Sequence, residues 1–321
     1  MAKKNNLDAL QDLENQNANN DDVSTDNKQT SVKKETEKIK DNSPNTLDGY
    51  RILENYQLPQ NGMFYPEYWK FAYRSPEANE IANFSTIQDT DQTGMIQAVE
   101  DLIRKCVVIW DTQKDRQIST GEILDGHRQF FLLLIREYYL PGTPIEYSAI
   151  CSFCHEAMEI DLKAKNLKYE EFSKEILKIY DGRKFSFVTD SGTIEFLAPT
   201  LNTSTKILKY LMRTYKDNTS DKNIQEEKIV YDKKFLLIAP YLFETGDETI
   251  KQIIQKYKQI SKDSSLMQEY IEIINKLKLD NFSEIDNVCE HCGSEEEAPV
   301  RFPGGWKNLF IRKTTISKYF N

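Results

Sequence analysis

This 321-residue chain contains five cysteines, and four of them fall in two Cys-x-x-Cys pairs: Cys151/Cys154 in "ICSFCHE" and Cys289/Cys292 in "VCEHCGS". Two thiols separated by two residues support one of two chemistries. They cycle between dithiol and disulfide, or they offer thiolates to a soft metal ion. A thioredoxin-like site would use one pair and leave the other idle. Two pairs together supply four thiolates, a full tetrahedral shell for Zn(2+) with no position left for a reacting water. The expected ligands are Cys151, Cys154, Cys289 and Cys292, and the expected cofactor is a structural zinc. Cys154 and Cys289 lie 135 positions apart, against roughly 15–20 in a compact ribbon. Closure entropy grows slowly with loop length, so the interval is no objection.

Other chemistries fit the same residues less well. "CSFCH" has the spacing of a c-type haem attachment site, but the N-terminus "MAKKNNLDALQDLENQ" lacks the apolar core of an export signal. A zinc deaminase requires His-x-Glu and a proline before its Cys-x-x-Cys, whereas residues 150 and 288 are Ile150 and Val288. His155-Glu156 begins like a metalloprotease helix, yet position 159 is Glu159 and no second histidine follows. His155 and His291 are spare candidates for a variant shell, superfluous beside four thiols. Without a Gly-rich phosphate loop or a Ser-His-Asp order, the chain reads as a non-enzyme.

Charge narrows the partners. Asp and Glu number 51 against 42 Lys and Arg, a net charge of −9. Glu156, Glu159 and Asp161 flank the first pair; Glu290, Glu295, Glu296 and Glu297 flank the second. Phosphate would be repelled there. This opposes the alternative reading, a nucleic-acid-binding or transcription-related zinc ribbon. No apolar run reaches the roughly 18 residues of a membrane helix. With no membrane span and no signal peptide, a reducing cytoplasm is expected, where paired cysteines favour metal over disulfide.

The elements that position the thiols can be read from periodicity. Residues 1–49 contain no aromatic residue and read as a disordered polar tail, with Leu7, Leu10 and Leu13 as a short amphipathic stretch. "LPQNGMFYP" (58–66) reads as a short extended lead-in turning at Asn61 and Gly62. Met95, Ile96, Val99, Leu102, Ile103, Cys106, Val107 and Trp110 recur every three or four positions, one face of a helix on which Cys106 is a small buried hydrophobe. "STGE" (119–122) has capping-box spacing, and Ile123, Leu124, His127, Phe130, Phe131, Leu134, Ile135, Tyr138 and Tyr139 follow as a helical stripe. His127 reads as a satisfied core histidine, and "LPGTP" ends the helix. From 145 the period changes to two: "EYSAI" enters the first pair, "AMEIDL" leaves it, and "RKFSFVTDSGTIEFLAP" is a hairpin. Helical stripes return at Ile250, Ile253, Ile254, Tyr257 and Ile260, and at Leu266, Met267, Tyr270, Ile273, Ile274 and Leu277, with "KDNTSDKN" (216–223) a polar loop before them. "APVRFP" is a last short strand. Trp306 and Phe310 are either exposed binding aromatics or the docking of the C-terminal segment onto the core.

The order "LPQNGMFYP", "ISTGEILDGHRQFFLLLIREYYLPGTPIEYSAICSFC", "GRKFSFVTDSGTIEFLAPT" and "CEHCGSEEEAPVRF" resembles the baseplate hub and hub-assembly proteins of contractile-tailed bacteriophages. The resemblance covers residues 58 to about 302; the polar tail has no counterpart in it. It implies a virion-assembly role without catalysis, with tail or hub proteins as partners, in the virion baseplate or in the host cytoplasm during assembly.

The expected architecture is α+β: helical regions packed with a β-ribbon subdomain closed by the four-cysteine zinc site. Along the chain this gives a tail (1–49), an N-terminal helical region (50–144), a hairpin region with the first knuckle (145–199), a second helical region (200–284), and the second knuckle with a closing strand and C-terminal tail (285–321).

Overall fold

A computed structural model describes residues 49–88, 92–169, 172, 178–181, 184–189, 192–217, 233–277, 279, 284–303 and 305–311. The expected disordered tail up to residue 48, most of the 216–223 loop, and Asp190 and Ser191 of the hairpin turn lie outside the described residues.

The first strand, β1 (Tyr50–Leu53), pairs antiparallel with β2 (Trp69–Arg74). Between them the chain makes two short 3-10 turns. After β2 come α1 (Ala78–Ser85) and α2 (Gln92–Cys106), then β3 (Val107–Asp111) and β4 (Arg116–Ile118). The four strands form an antiparallel sheet in the order β1-β2-β3-β4. Leu53 faces Phe71, Phe71 faces Ile109 and Ile109 faces Ile118, so one apolar row crosses all four strands. Helix α3 (Arg128–Tyr139) covers this row, with Phe131 stacked on Phe71 at 5.9 Å between ring centroids. Burial of such rings is what stabilises the sheet–helix layer.

The region expected to be helical from 50 to 144 therefore carries a sheet as well as helices, and three local expectations change with it. The Met95–Trp110 stripe is not one helix: α2 stops at Cys106 and the chain passes directly into β3. Val107, Val108 and Ile109 are consecutive β-branched residues, stiff at χ1, and β2 offers them a hydrogen-bonding edge. "STGE" caps a single 3-10 turn (Thr120–Glu122), with the Ser119 hydroxyl accepting from Gly121 N–H at 3.1 Å. A second 3-10 turn (Asp125–His127) intervenes before α3, so Ile123 and Leu124 are not helical. Finally, 58–66 is coiled, not extended: Gln60, Asn61 and Gly62 have φ of +51, +54 and +70°. That turn drives Phe64 and Tyr65 inward. Tyr65 Oη lies 2.7 Å from His127 Nδ1 and accepts from Leu124 N–H at 3.2 Å, while His127 Nε2 faces Gln60 Oε1 at 3.3 Å. His127 is a buried core histidine as expected.

The chain continues through β5 (Glu146–Ile150) and β6 (Ala157–Asp161), then β7 (Tyr180–Asp181), β8 (Lys184–Thr189) and β9 (Gly192–Leu197), which form a three-stranded sheet in that order. Phe185 faces Phe196 and Phe187 faces Ile194, the alternation expected of the hairpin. Among the described residues, the helices that follow are α4 (Leu201–Asp217), α5 (Lys233–Ile238), α6 (Ile250–Ile260) and α7 (Ser264–Leu277). The stripes expected on α6 and α7 are their buried faces. Mixed helix and sheet make this an α+β protein.

One buried ionic contact ties the helical layers. Glu100 of α2 is fully buried and meets Arg128 of α3 at 3.0 Å and the Thr205 hydroxyl of α4. Desolvation raises its carboxyl value despite the hydroxyl and the guanidinium. At the other end, Phe310 is buried against Phe84 (5.3 Å) and Tyr139 (6.1 Å), and Arg136 Nε donates to the Leu309 carbonyl at 3.3 Å. The C-terminal segment thus docks on the core.

Candidate metal centre

Strands β10 (Glu284–Val288) and β11 (Glu295–Pro299) form a hairpin that repeats the β5–β6 hairpin. In each, alternate residues turn inward: Met158 and Ile160 from β6, Ile285 from β10 and Ala298 from β11 are buried. These inward faces bring together hairpins far apart in sequence. Leu167 and Ile285 form a β-bridge, Tyr147 Oη donates to the Pro299 carbonyl at 2.7 Å, and Asn287 Nδ2 lies 3.8 Å from Met158 Sδ. Lys168 adds ion pairs to Glu297 and, at 3.4 Å, to Asp286.

Each hairpin ends in a cysteine knuckle of the same construction. Cys151 N–H donates to the Glu156 carbonyl and Cys289 N–H to the Ser294 carbonyl, both at 2.9 Å. His155 N–H returns to the Cys151 carbonyl at 3.1 Å, and Gly293 N–H to the Cys289 carbonyl at 2.8 Å. These bonds turn both thiols of a pair to one side, where Cys154 N–H also approaches Cys151 Sγ at 3.4 Å.

The four sequence-predicted ligands, and no other His, Cys, Asp or Glu among the described residues, form one cluster whose sulfurs all lie within 4.8 Å of one another. Cys151 Sγ is 3.7 Å from Cys292 Sγ, and Cys154 Sγ is 3.6 Å from Cys289 Sγ. A disulfide needs about 2 Å. Four sulfurs at about 2.3 Å from a common ion in tetrahedral array stand roughly 3.8 Å apart. The donor set and its spacing therefore fit a four-thiolate zinc ion and do not fit disulfides.

The surroundings divide the thiols. The Ser294 hydroxyl, 3.1 Å from Cys292 Sγ, and the Ser294 backbone hold that thiol down at about 6. Cys154 gains a lowering hydrogen bond from the Glu156 backbone, but desolvation and the three neighbouring sulfurs push it up to about 12. Four crowded sulfurs cannot all ionise unaided; a bound cation reverses that balance. Glu296 sits beside them, accepting from Ser152 Oγ at 2.8 Å and from Cys151 Sγ at 3.5 Å, and the Ser152 hydroxyl keeps its carboxyl low.

Sequence reasoning did not find Ser152 or Ser294, and it gave Glu296 only as one of the carboxylates flanking the second pair. The glycine after Cys292 is the usable signal for a knuckle, whereas Glu296 reaches the site only across the two hairpins. His155 and His291 are exposed and outside the cluster. Cys106 is buried on α2, with burial pushing its thiol up to about 12, as an inert core residue would show. No helix among the described residues is long and apolar enough to cross a membrane.

Comparison with known proteins places both knuckles inside one match. The family model described as T4 bacteriophage base plate protein matches residues 51–296, well over half of the chain. No curated protein and no solved structure matches.

Proposed function

We propose that this chain, which belongs to the T4 bacteriophage base plate protein family, serves at the baseplate hub, as a hub component or as a factor in hub assembly. Family membership gives a structural role in the phage tail, with tail proteins as partners and the virion baseplate as location. The hub assignment is the finer reading, and it rests on the order of motifs from "LPQNGMFYP" to "CEHCGSEEEAPVRF" within the matched span. Assembly would take place in the host cytoplasm.

In this reading Cys151, Cys154, Cys289 and Cys292 hold one Zn(2+) that does no chemistry on a substrate. The ion would close the ribbon and lock the C-terminal hairpin to the middle of the chain, fixing how the helical surfaces present themselves. A saturated sulfur shell leaves no site for a reacting water, and this supports a non-enzymatic role. The carboxylates around both knuckles disfavour a nucleic-acid role.

The observation that carries the proposal is the 51–296 family match, which includes all four cysteines. An amber mutant of the gene tests it. Mutant lysates are expected to contain heads but few complete baseplates, and mass spectrometry of wild-type virions separates a resident hub subunit from a factor that departs. Normal tails in the mutant would overturn both versions.

A further inference from the structure

The residues that immediately precede the four cysteines are Ile150, Phe153, Val288 and His291, and all four are exposed. Ile150 is 66% accessible, Phe153 77% and Val288 56%, among the most exposed large apolar side chains in the described residues. One Cα–Cα step of about 3.8 Å separates each from a cysteine, and the four sulfurs lie within 4.8 Å of one another. The apolar residues are therefore held around a single rigid tip. Scattered exposed hydrophobics carry no message, but a group fixed about one point marks an interaction site.

The charge around the tip identifies the kind of partner. Residues 146–161 and 284–299, the two hairpins, contain ten carboxylates and no Lys or Arg. Of the cations just outside the strands, Lys163 and Lys168 are paired with Asp161 and with Asp286 and Glu297, and Arg301 acts on Tyr147, at the end of the hairpins away from the cysteines. Glu156, Glu159, Glu290, Glu295 and Glu297 remain exposed beside the apolar residues. A second copy of this tip, an anionic lipid surface and a nucleic-acid backbone would all be repelled.

Resting on the baseplate reading above, we infer that the cysteine-ribbon tip is a plug: Phe153, with Ile150 and Val288, inserts into an apolar socket rimmed by Lys and Arg on another baseplate subunit. The apolar residues supply the affinity, and the acidic flanks select the partner and speed its approach. The thiolate cluster keeps the plug preformed, so little ordering is needed on docking.

The test replaces Phe153 with the photoreactive benzoylphenylalanine in the full-length chain during infection, with Val188, 88% accessible on the β8–β9 hairpin, replaced likewise as the control. The adduct at 153 is expected to fall on a Lys/Arg-rich stretch of another baseplate protein. With that protein purified, Phe153→Ala should weaken binding about 30-fold while zinc content and thermal midpoint stay at wild-type values, and binding should fall as salt rises. Adducts to a second copy, lipid or nucleic acid, equal capture at 188, no adduct at 153, or binding of Phe153→Ala within twofold of wild type would each overturn the plug. A chain required for baseplates that yields no adduct at 153 removes this inference alone. Normal tails in the amber mutant remove the hub reading itself.

Discussion

His155 and Gly293 occupy the same place in the two knuckles, one residue after the second cysteine, and both take left-handed backbone angles, φ +62° and +74°. The knuckle turn requires this conformation, because the residue's N–H must reach back to the first cysteine's carbonyl. Glycine adopts it freely, whereas a residue with a Cβ is strained there. His155→Gly is therefore expected to stabilise the protein by about 1 kcal/mol and Gly293→Ala to destabilise it by about the same. A Cβ at Gly293 meets nothing within 4 Å, so the cost there is purely conformational. Chemical denaturation of the zinc-loaded variants reads both; equal stabilities would show that the turn tolerates either residue.

Protein purified without added metal should carry one zinc per chain, with no thiol reactive towards a disulfide reagent while folded and all five reactive once unfolding in a chelator releases the ion. Cys289→Ser should abolish the stoichiometric zinc and lower the thermal midpoint, since binding and folding of the ribbon are coupled. Elemental analysis that finds iron, or finds no metal with four free thiols, contradicts the four-thiolate zinc.

Arg128→Leu should destabilise the protein by about 3–5 kcal/mol, because it strands the fully buried Glu100 carboxylate. The double variant Glu100→Leu/Arg128→Leu should recover much of that loss. If the double variant is as unstable as the single one, the lost Arg128–Asp125 pair or packing, not the orphaned Glu100 charge, is responsible.

Glu80 accepts two hydrogen bonds from Arg74, at 2.8 and 2.9 Å, and one from Glu77 N–H at 2.8 Å. The Arg74 guanidinium holds its carboxyl below the ordinary carboxylate range. A depressed value means the unfolded chain binds the proton first, so the contribution is complete above the unfolded value and is lost as pH falls through the folded one. Glu80→Gln should cost about 1–2 kcal/mol at pH 7, and its difference from wild type should shrink below about pH 4.5. A difference independent of pH would rule out the ion pair as its source.

Phe310→Ala should cost about 3 kcal/mol, as expected for removing a buried ring, with the loss seen in the global unfolding midpoint. A variant of unchanged stability would show that the C-terminal segment is merely laid on the surface.

What the sequence by itself determined about this protein is what local spacing encodes. Cys-x-x-Cys places two thiols on one turn whatever surrounds it, so the four thiols that cluster were readable, as were the hairpin alternation at Phe185 and Phe196 and the helical stripes of α6 and α7. Tertiary structure alone decided what depends on a distant partner. Val107–Asp111 fits the period of α2, yet it is a strand because β2 supplies an edge for its backbone. The Ser119–Glu122 signal is satisfied by one 3-10 turn, because the chain must then bend to bring Leu124 N–H to the hydroxyl of Tyr65. Glu296 stands beside Cys151 only because two hairpins separated by more than a hundred residues bury their inward faces against each other. Torsional preferences and periodicity act within a few residues and leave their mark in the local sequence; hydrogen-bonding edges and buried faces are completed by whichever segment arrives, and only the folded chain names it.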